Sequence, residues 1–247
     1  MISCNSCHNL STGGVDAGPT SIGHNWEKGP RRAPSVLNAV FNVAQFWDGR
    51  APDLKAQAKG PVQAAGEMAN TSANAEKMMR SIPAYATAFK AAFPNDANPV
   101  SFDNMALAIE AFEATLTTPN SKLDKFLKGD DSALTPDEKR GAQLFVETGC
   151  IACHNGVGVG GGMYQKLGVV KPYPTKDVGR FAVTKNEADK MVFKVPSLRN
   201  VAKTGPYFHD GSVKTLDEAV SKMAEYQLGK TLTQEQVKEI VTFLNSL

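Results

Sequence analysis

Apolar residues recur at helical spacing in several stretches of the chain, and polar or glycine-rich segments separate these stretches. In the stretch 101–117 the apolar residues follow one another at steps of three and four positions, which predicts a helix with one apolar face. A helical pattern over 74–93 is interrupted at Ile82-Pro83, and a short polar helix is expected over 53–63. The apolar face of the stretch 101–117 consists of Met105, Ile109, Phe112 and Leu116.

The second half of the chain begins with a well-marked helix start. Thr135 is placed as the N-cap, a proline follows it, and Glu138 stands three residues after the cap, a combination typical of a capping box. This helix is expected to run into Cys150. Two more helices, over 215–228 and 233–247, begin with Thr-x-x-Glu and Thr-x-x-Gln and carry apolar residues at helical spacing.

The segment 118–132 interrupts these patterns. It contains a proline, a glycine and adjacent aspartates, so we interpret it as the connection between two domains. The sequence therefore predicts a mainly α fold with two helical domains, 1–130 and 131–247.

The candidate chemistry of the chain lies in two C-x-x-C-H stretches, which are typical of c-type haem attachment. Two thiols on one helical turn can bond to the vinyl groups of a porphyrin, and the histidine that follows can ligate the iron. The two stretches are Cys4, Cys7 and His8 in the first half, and Cys150, Cys153 and His154 in the second.

A zinc site or a redox dithiol pair is the alternative for such cysteines. Zinc ribbons place their two halves about 15–20 residues apart, whereas His8 and His154 are 146 positions apart. Two separate centres are therefore favoured, with one covalent haem c in each domain.

Composition and charge exclude some classes of function. The chain is 42% apolar and 21% charged, with a net charge of +2, and it contains no basic tract, so nucleic-acid binding is not expected. No run of about 18 apolar residues predicts a membrane span. Haem c is normally attached outside the cytoplasm, so a periplasmic location is inferred from the cofactor. The first motif begins at the fourth residue, which leads us to expect a chain lacking its export signal and first segment.

Each iron needs a second axial ligand. His24 lies in a polar loop sixteen positions after His8; it is a candidate ligand, although a loop histidine is often only solvated or a helix cap. For the second iron we favour Met223, because it lies on an amphipathic helix well after the attachment motif. A methionine in a helix is more often core filler. The other candidates are Met163, Met191 and His209.

Two further residues are candidates for function. Glu67 lies among small apolar residues, where its pKa could be raised and its carboxylate could transfer protons; a surface glutamate is an equal alternative. Trp47 is one of two tryptophans, and core packing is its simplest interpretation. The glycine-rich run 156–162 would let the backbone pass close to the second haem.

Five motifs together resemble the bacterial di-haem cytochrome c peroxidases, within the larger group that includes the methylamine-utilisation di-haem enzymes. The resemblance covers essentially the whole chain. It implies reduction of hydrogen peroxide to water with electrons from a small periplasmic redox protein, either a cytochrome c or a cupredoxin, and a homodimer. The motifs are CNSCHNL at 4–10, SIGH at 21–24, NVAQFWDGR at 42–50, CHNG at 153–156 and PYFHDG at 206–211.

The resemblance also implies roles for single residues. His24 matches the detachable distal histidine of the peroxidatic haem, in the first domain, and Trp47 matches the tryptophan between the haems. Gln57 and Glu67 match the distal-pocket pair, with Glu67 as the acid–base group for O–O cleavage. Met223 matches the axial methionine of the electron-accepting haem, where the methylamine-utilisation branch has a tyrosine, so Met223 favours a peroxidase.

The family also binds a calcium ion between its domains, through carbonyls that match Thr204 and Pro206 and through an asparagine side chain. This sequence has Arg32 at the asparagine position. A cation beside Ca²⁺ is unfavourable, so we expect that site to be weak, displaced or built from another ligand. Two other functions stay open at this point: a di-haem electron carrier or redox sensor without turnover, and a methylamine-utilisation-like oxidase.

Overall fold

The computed structural model describes residues 2–247, and within this range helices dominate. The single sheet of this part of the chain has two short antiparallel strands, β1 (Tyr164–Lys166) and β2 (Val192–Lys194), in which Gln165 pairs with Phe193. The helices are α1 (Cys4–Cys7), α2 (Leu54–Gln63), α3 (Ser72–Arg80), α4 (Pro83–Ala92), α5 (Phe102–Glu113), α6 (Lys122–Leu127), α7 (Pro136–Thr148), α8 (Phe181–Thr184), α9 (Leu216–Leu228) and α10 (Gln234–Leu244). The mainly α prediction is confirmed.

The first half is built on the packing of α2 against α5. Asp53 caps α2 by accepting a hydrogen bond from the Ala56 N–H, and an apolar stripe at Leu54, Ala58 and Val62 is buried. The predicted apolar face of α5 is only partly correct. Ala106 is fully buried, whereas Phe112 is 55% exposed. The small alanine faces the packed side because it allows a close approach of helices that Phe112 would prevent.

The second half is built on α7 and α10, which cross in close backbone contact. A Cβ on Gly141 of α7 would lie 2.0 Å from the carbonyl oxygen of Glu239 on α10, so glycine is required at this crossing. The adjoining core is apolar: Ile240 is 1% exposed, and the rings of Phe145 and Phe243 lie with centroids 5.4 Å apart.

The capping boxes predicted at Thr135 and Thr233 are present, whereas at Thr215 only the hydrogen bond from the Glu218 N–H to the Thr215 side chain forms. The helix after Thr135 does not continue into Cys150, however, because Gly149 ends it in the left-handed region with φ 102° and a 3-10 turn, Cys150–Ala152, follows. The expected connection 118–132 contains the short helix α6, whose Ser121 cap forms a capping box with Asp124.

Residues of the two halves are joined by a partly buried ion-pair network. The Arg31 guanidinium donates to both carboxylate oxygens of Asp177, at 2.6 and 2.8 Å, and also to Asp48. Arg180 donates to the Asp48 carbonyl. Because Asp48 belongs to the first half and Asp177 to the second, Arg31 fixes one half against the other. In residues 2–247, no helix has the length and apolarity that crossing a membrane demands.

Candidate functional site

The second C-x-x-C-H stretch opens into a cavity of about 260 Å³ that is lined mainly by the second half and partly by residues of the first half. Cys150 and Cys153 lie on the turn after α7, and the His154 N–H donates to the Cys150 carbonyl at 3.0 Å. Helix α9 lines another part of the same cavity with Met223. The structure therefore brings together two thiols, an imidazole and a thioether, the groups that hold a haem c with histidine–methionine ligation.

Burial keeps these groups in the neutral forms that such ligation starts from. Burial lowers the pKa of His154 to about 4 and raises that of the Cys150 thiol to about 11. The Nδ1 atom of His154 is buried and, among the described residues, has no hydrogen-bond partner. A neutral imidazole facing an apolar cavity suits an iron ligand, so these residues fit a haem.

Gly160 shows why the glycine-rich run is needed beside this histidine. Its φ is 125°, and a Cβ there would lie 2.2 Å from the Pro196 carbonyl oxygen and 3.2 Å from His154 Nδ1. Any side chain would therefore push against the backbone and the imidazole.

The first C-x-x-C-H stretch forms a single helical turn, α1, followed directly by His8. The Nδ1 atom of His8 lies 3.3 Å from the Gly14 carbonyl oxygen. A carbonyl only accepts, so Nδ1 carries the hydrogen and Nε2 is left with a free lone pair for iron. Burial lowers the pKa of His8 and favours this neutral form. The first motif therefore also fits a haem.

Glu67 lies close to this first motif. It follows α2 in a turn closed by the hydrogen bond from its N–H to the Ala64 carbonyl. Burial raises the pKa of the Cys7 thiol, and the negative charges of Asp16 and Glu67 raise it further. The pKa of Glu67 itself is raised by burial, with partial compensation from the Arg50 guanidinium. Gln57 is half-buried on α2, the helix that directly precedes Glu67.

The loop that carries His24 is seated on the Glu67 turn. The His24 N–H donates to the Glu67 carbonyl at 2.8 Å. A Cβ on Gly23 would lie only 1.9 Å from the Gly66 carbonyl oxygen, so the two backbones are in direct contact. The His24 side chain is exposed, and Trp26 beside it is 85% exposed. Ligation of the first iron by His24 stays a prediction.

Trp47 lines the cavity of the second motif. Its indole N–H donates to the Arg32 carbonyl at 2.9 Å, and its ring lies edge-on to the buried His209 ring at 6.4 Å between centroids. His209, one of the four candidates for the sixth ligand, packs its ring against Phe193 at 4.5 Å in this aromatic cluster.

Sequence reasoning missed Lys194, which lines the same cavity on β2. It is buried, and burial lowers its pKa to about 8. A buried ammonium facing a haem cavity suits the haem propionates as partners. The lysine lies between Phe193 and Val195. A charged residue between two apolar ones was the sequence feature that could have identified it.

The calcium site implied by the resemblance does not fit the residues that are present. The Thr204 carbonyl, one of its two expected ligands, accepts a hydrogen bond from the Arg32 guanidinium at 2.9 Å. Pro206 lies two residues further along the same loop. Residues 2–247 contain no cluster of three or more histidine, cysteine or acidic side chains that could hold a metal ion.

Comparison with protein families divides the chain into two matches. Residues 1–132 match the family described as di-haem cytochrome c peroxidase, and residues 138–247 match the family described as cytochrome c.

Curated relatives agree with this result over the full chain. Cytochrome c551 peroxidase of Pseudomonas aeruginosa is 56% identical over 100% of this chain and 73% of its own length. Cytochrome c551 peroxidase of Nitrosomonas europaea is 54% identical over 100% of this chain and 74% of its own length. The methylamine utilization protein MauG of Methylorubrum extorquens is more distant, at 35% identity over 87% of this chain and 61% of its own length.

Among solved structures, a MauG-like protein associated with microbial copper homeostasis superposes with a TM-score of 0.86. It is 29% identical, and the alignment covers 100% of this chain and 83% of that one.

Proposed function

The chain belongs to the di-haem cytochrome c peroxidase family, and we propose that it reduces hydrogen peroxide to water with electrons from a small redox protein. The observation that supports this most strongly is the identity of 56% and 54%, over the whole chain, to two cytochrome c551 peroxidases. Haem iron at the two attachment motifs supplies the redox chemistry, because it takes up electrons singly and can pass them to the O–O bond.

The two halves have different tasks in this proposal. Residues 131–247 form the electron-accepting domain, with the haem held by Cys150, Cys153 and His154. Met223 would be the other iron ligand of this haem, and a thioether would raise its reduction potential relative to a second imidazole. Residues 1–130 form the peroxidatic domain, with the haem held by Cys4, Cys7 and His8. Trp47 lies on the path between them.

His24 controls access to the peroxidatic site. As a ligand it would close the distal side, and as an exposed loop residue it leaves that side open. The arrangement described above, with the loop seated on the Glu67 turn through the 2.8 Å hydrogen bond, is the one we assign to the open state. The hydrogen bond couples the two events, since the loop that withdraws His24 also braces Glu67.

Glu67 then transfers a proton from the near to the far oxygen of the bound peroxide. A carboxylate whose pKa is raised by burial suits this task, because a raised pKa makes it a stronger base that can accept a proton and then release it. Gln57 orients the peroxide with its amide. Two electrons and two protons in total convert one hydrogen peroxide to two waters.

The alternatives are less well supported. The methylamine-utilisation relative is only 35% identical, and the position expected to carry its axial tyrosine is Met223 here. An electron carrier without turnover would not need a proton-transferring carboxylate beside the first motif. We further propose a periplasmic location, a homodimer, and a cytochrome c or a cupredoxin as the electron donor.

Optical titration of the holoprotein tests the proposal. We expect one-electron reduction to produce a high-spin, ligand-accessible first haem that reacts with peroxide, and steady turnover when reduced cytochrome c is supplied. The variant Glu67→Gln should keep the high-spin signal and lose turnover. If both haems remained low-spin after half-reduction and no peroxide were consumed, the protein would be an electron carrier.

A further inference from the structure

Arg32 is a buried cation at the contact between the two halves. The residue is 4% exposed, and its guanidinium donates only to backbone carbonyls. In the first half it donates to Gly18 at 2.6 Å and to Asp16 at 3.3 Å. In the second half it donates to Thr204 at 2.9 Å and to Gly205 at 2.8 Å. One side chain therefore binds two loops that come from different halves of the molecule.

Four converging carbonyl oxygens form an environment for a cation. Burying a charge is costly unless hydrogen bonds and an opposite charge compensate. The carbonyl dipoles compensate here, and so does Asp16, whose charge opposes the lowering of the Arg32 pKa by burial. A planar guanidinium carries five N–H donors in a fixed arrangement, whereas an ammonium carries three on a single nitrogen, so arginine suits four acceptors better than lysine does.

The backbone of the same residue holds two groups of the candidate site. The Arg32 N–H donates to the His209 carbonyl at 2.7 Å, and the Arg32 carbonyl accepts from the Trp47 indole N–H at 2.9 Å. Arg32 therefore connects the contact between the halves, through its guanidinium, with Trp47 and the His209 backbone, through its own backbone.

We propose that the Arg32 guanidinium is a built-in cation that replaces a bound calcium ion between the two halves, so that this protein holds its interdomain contact without calcium. A calcium ion requires six to eight oxygen ligands at about 2.3–2.6 Å. The Thr204 carbonyl is already engaged by Arg32, and the positive charge repels a second cation. The proposal concerns the contact between the halves and does not depend on turnover.

Calcium dependence of the holoprotein tests it. We expect the melting temperature of the wild type to be the same in CaCl₂ and in excess chelator, with no heat of Ca²⁺ binding in calorimetry. In Arg32→Asn the positive charge is gone, the carbonyls are free and an amide oxygen is added. Its melting temperature in chelator should fall by about 6–12 °C, as expected for a broken buried polar network, and should recover in CaCl₂ but not in MgCl₂.

Two variants serve as controls. Arg180→Asn removes another arginine that joins the halves, whose partners are the backbone carbonyls of Asp48 and Gly49, and should lose stability without recovery in CaCl₂. Arg32→Lys keeps the positive charge but not the planar guanidinium. Its melting temperature should fall less than that of Arg32→Asn and should not respond to CaCl₂.

Either of two results would overturn the proposal. The first is a rise in the melting temperature of the wild type with CaCl₂, because the guanidinium would then not exclude the ion. The second is a loss of stability in Arg32→Asn that CaCl₂ does not reverse, which would make Arg32 an ordinary structural arginine. If Arg32→Asn folds only when calcium is supplied and unfolds on chelation, the proposal is supported. Melting and calorimetry need no peroxide, so failure here is distinguishable from failure of the proposed activity.

Discussion

The backbone contact between Gly23 and Gly66 provides a test of the proposed opening of the first haem site, because one added methyl group would disrupt it. In the variant Gly23→Ala, the added Cβ would lie 1.9 Å from the Gly66 carbonyl oxygen and 2.8 Å from the Glu67 Cα. Both are backbone atoms, so no side-chain rotation can relieve the clash. The loop that carries His24 must therefore move away from the Glu67 turn, and the hydrogen bond from the His24 N–H to the Glu67 carbonyl is lost.

The size of the effect follows from the cost of such crowding. Forcing an extra methyl into a packed contact costs about 1–3 kcal/mol. If the open arrangement alone bears this cost, the equilibrium between open and closed states shifts toward closed by about 5- to 150-fold, since 1.4 kcal/mol is a factor of ten. We therefore expect the high-spin fraction of the half-reduced protein to fall, and the rate of peroxide reaction to fall in proportion.

Stopped-flow spectroscopy of the half-reduced protein measures both quantities. Gly29→Ala is the matched control, because it lies in the same loop and its Cβ would meet only ordinary contacts, at 3.5 and 3.6 Å. It should behave as the wild type. An unchanged high-spin signal and rate in Gly23→Ala would show that the seated loop is not the open state, and the assignment would be abandoned.

Three further predictions concern other groups. Glu67→Gln should lower kcat/KM by about 10²- to 10⁴-fold. Because Glu67 acts as a base and burial raises its pKa, wild-type activity should fall as the pH drops through a value above the pKa of an ordinary glutamate. The pH profile of the variant should lack this acidic fall in activity. Asp124, whose pKa its partner Arg199 lowers to about 2, should contribute about 1–2 kcal/mol of stability above pH 4 that is lost as the pH falls toward 2; urea unfolding of Asp124→Asn should show a flatter acid dependence. Met223→His should lower the reduction potential of the second haem, measured by spectroelectrochemistry, because an imidazole stabilises ferrous iron less than a thioether does.

Local patterns in the sequence predicted local structure well. The capping boxes at Thr135 and Thr233 depend on residues three positions apart, and both are present. The break at Ile82-Pro83 separates α3 from α4 as the sequence predicts. The two C-x-x-C-H stretches each form a single turn. This could be predicted because each motif lies within five consecutive residues and needs no contact with a distant part of the chain.

The rest depends on contacts between distant parts of the chain. The resemblance leads us to expect Arg32 near the Thr204 carbonyl, but no pattern near residue 32 predicts that its guanidinium donates to the Thr204 and Gly205 carbonyls, 172 and 173 positions later. The packed face of α5 was predicted from large apolar residues, but the helix it meets selects the small Ala106. The sequence pattern does not show which side of a helix its neighbour will occupy.

The crossing of α7 and α10 at Gly141 has a consequence for electron transfer. The two helices are in backbone contact, and buried side chains such as Ile240 pack between them. They resist small displacements, because any shift would separate or overlap closely packed atoms. Both the attachment turn after α7 and the helix bearing Met223 rest on this pair. We therefore expect a small reorganisation energy at the second haem, since its surroundings need hardly adjust when the charge of the iron changes. The first attachment motif is instead followed by loops and short 3-10 turns up to α2, so we expect the surroundings of the first haem to rearrange more with each electron.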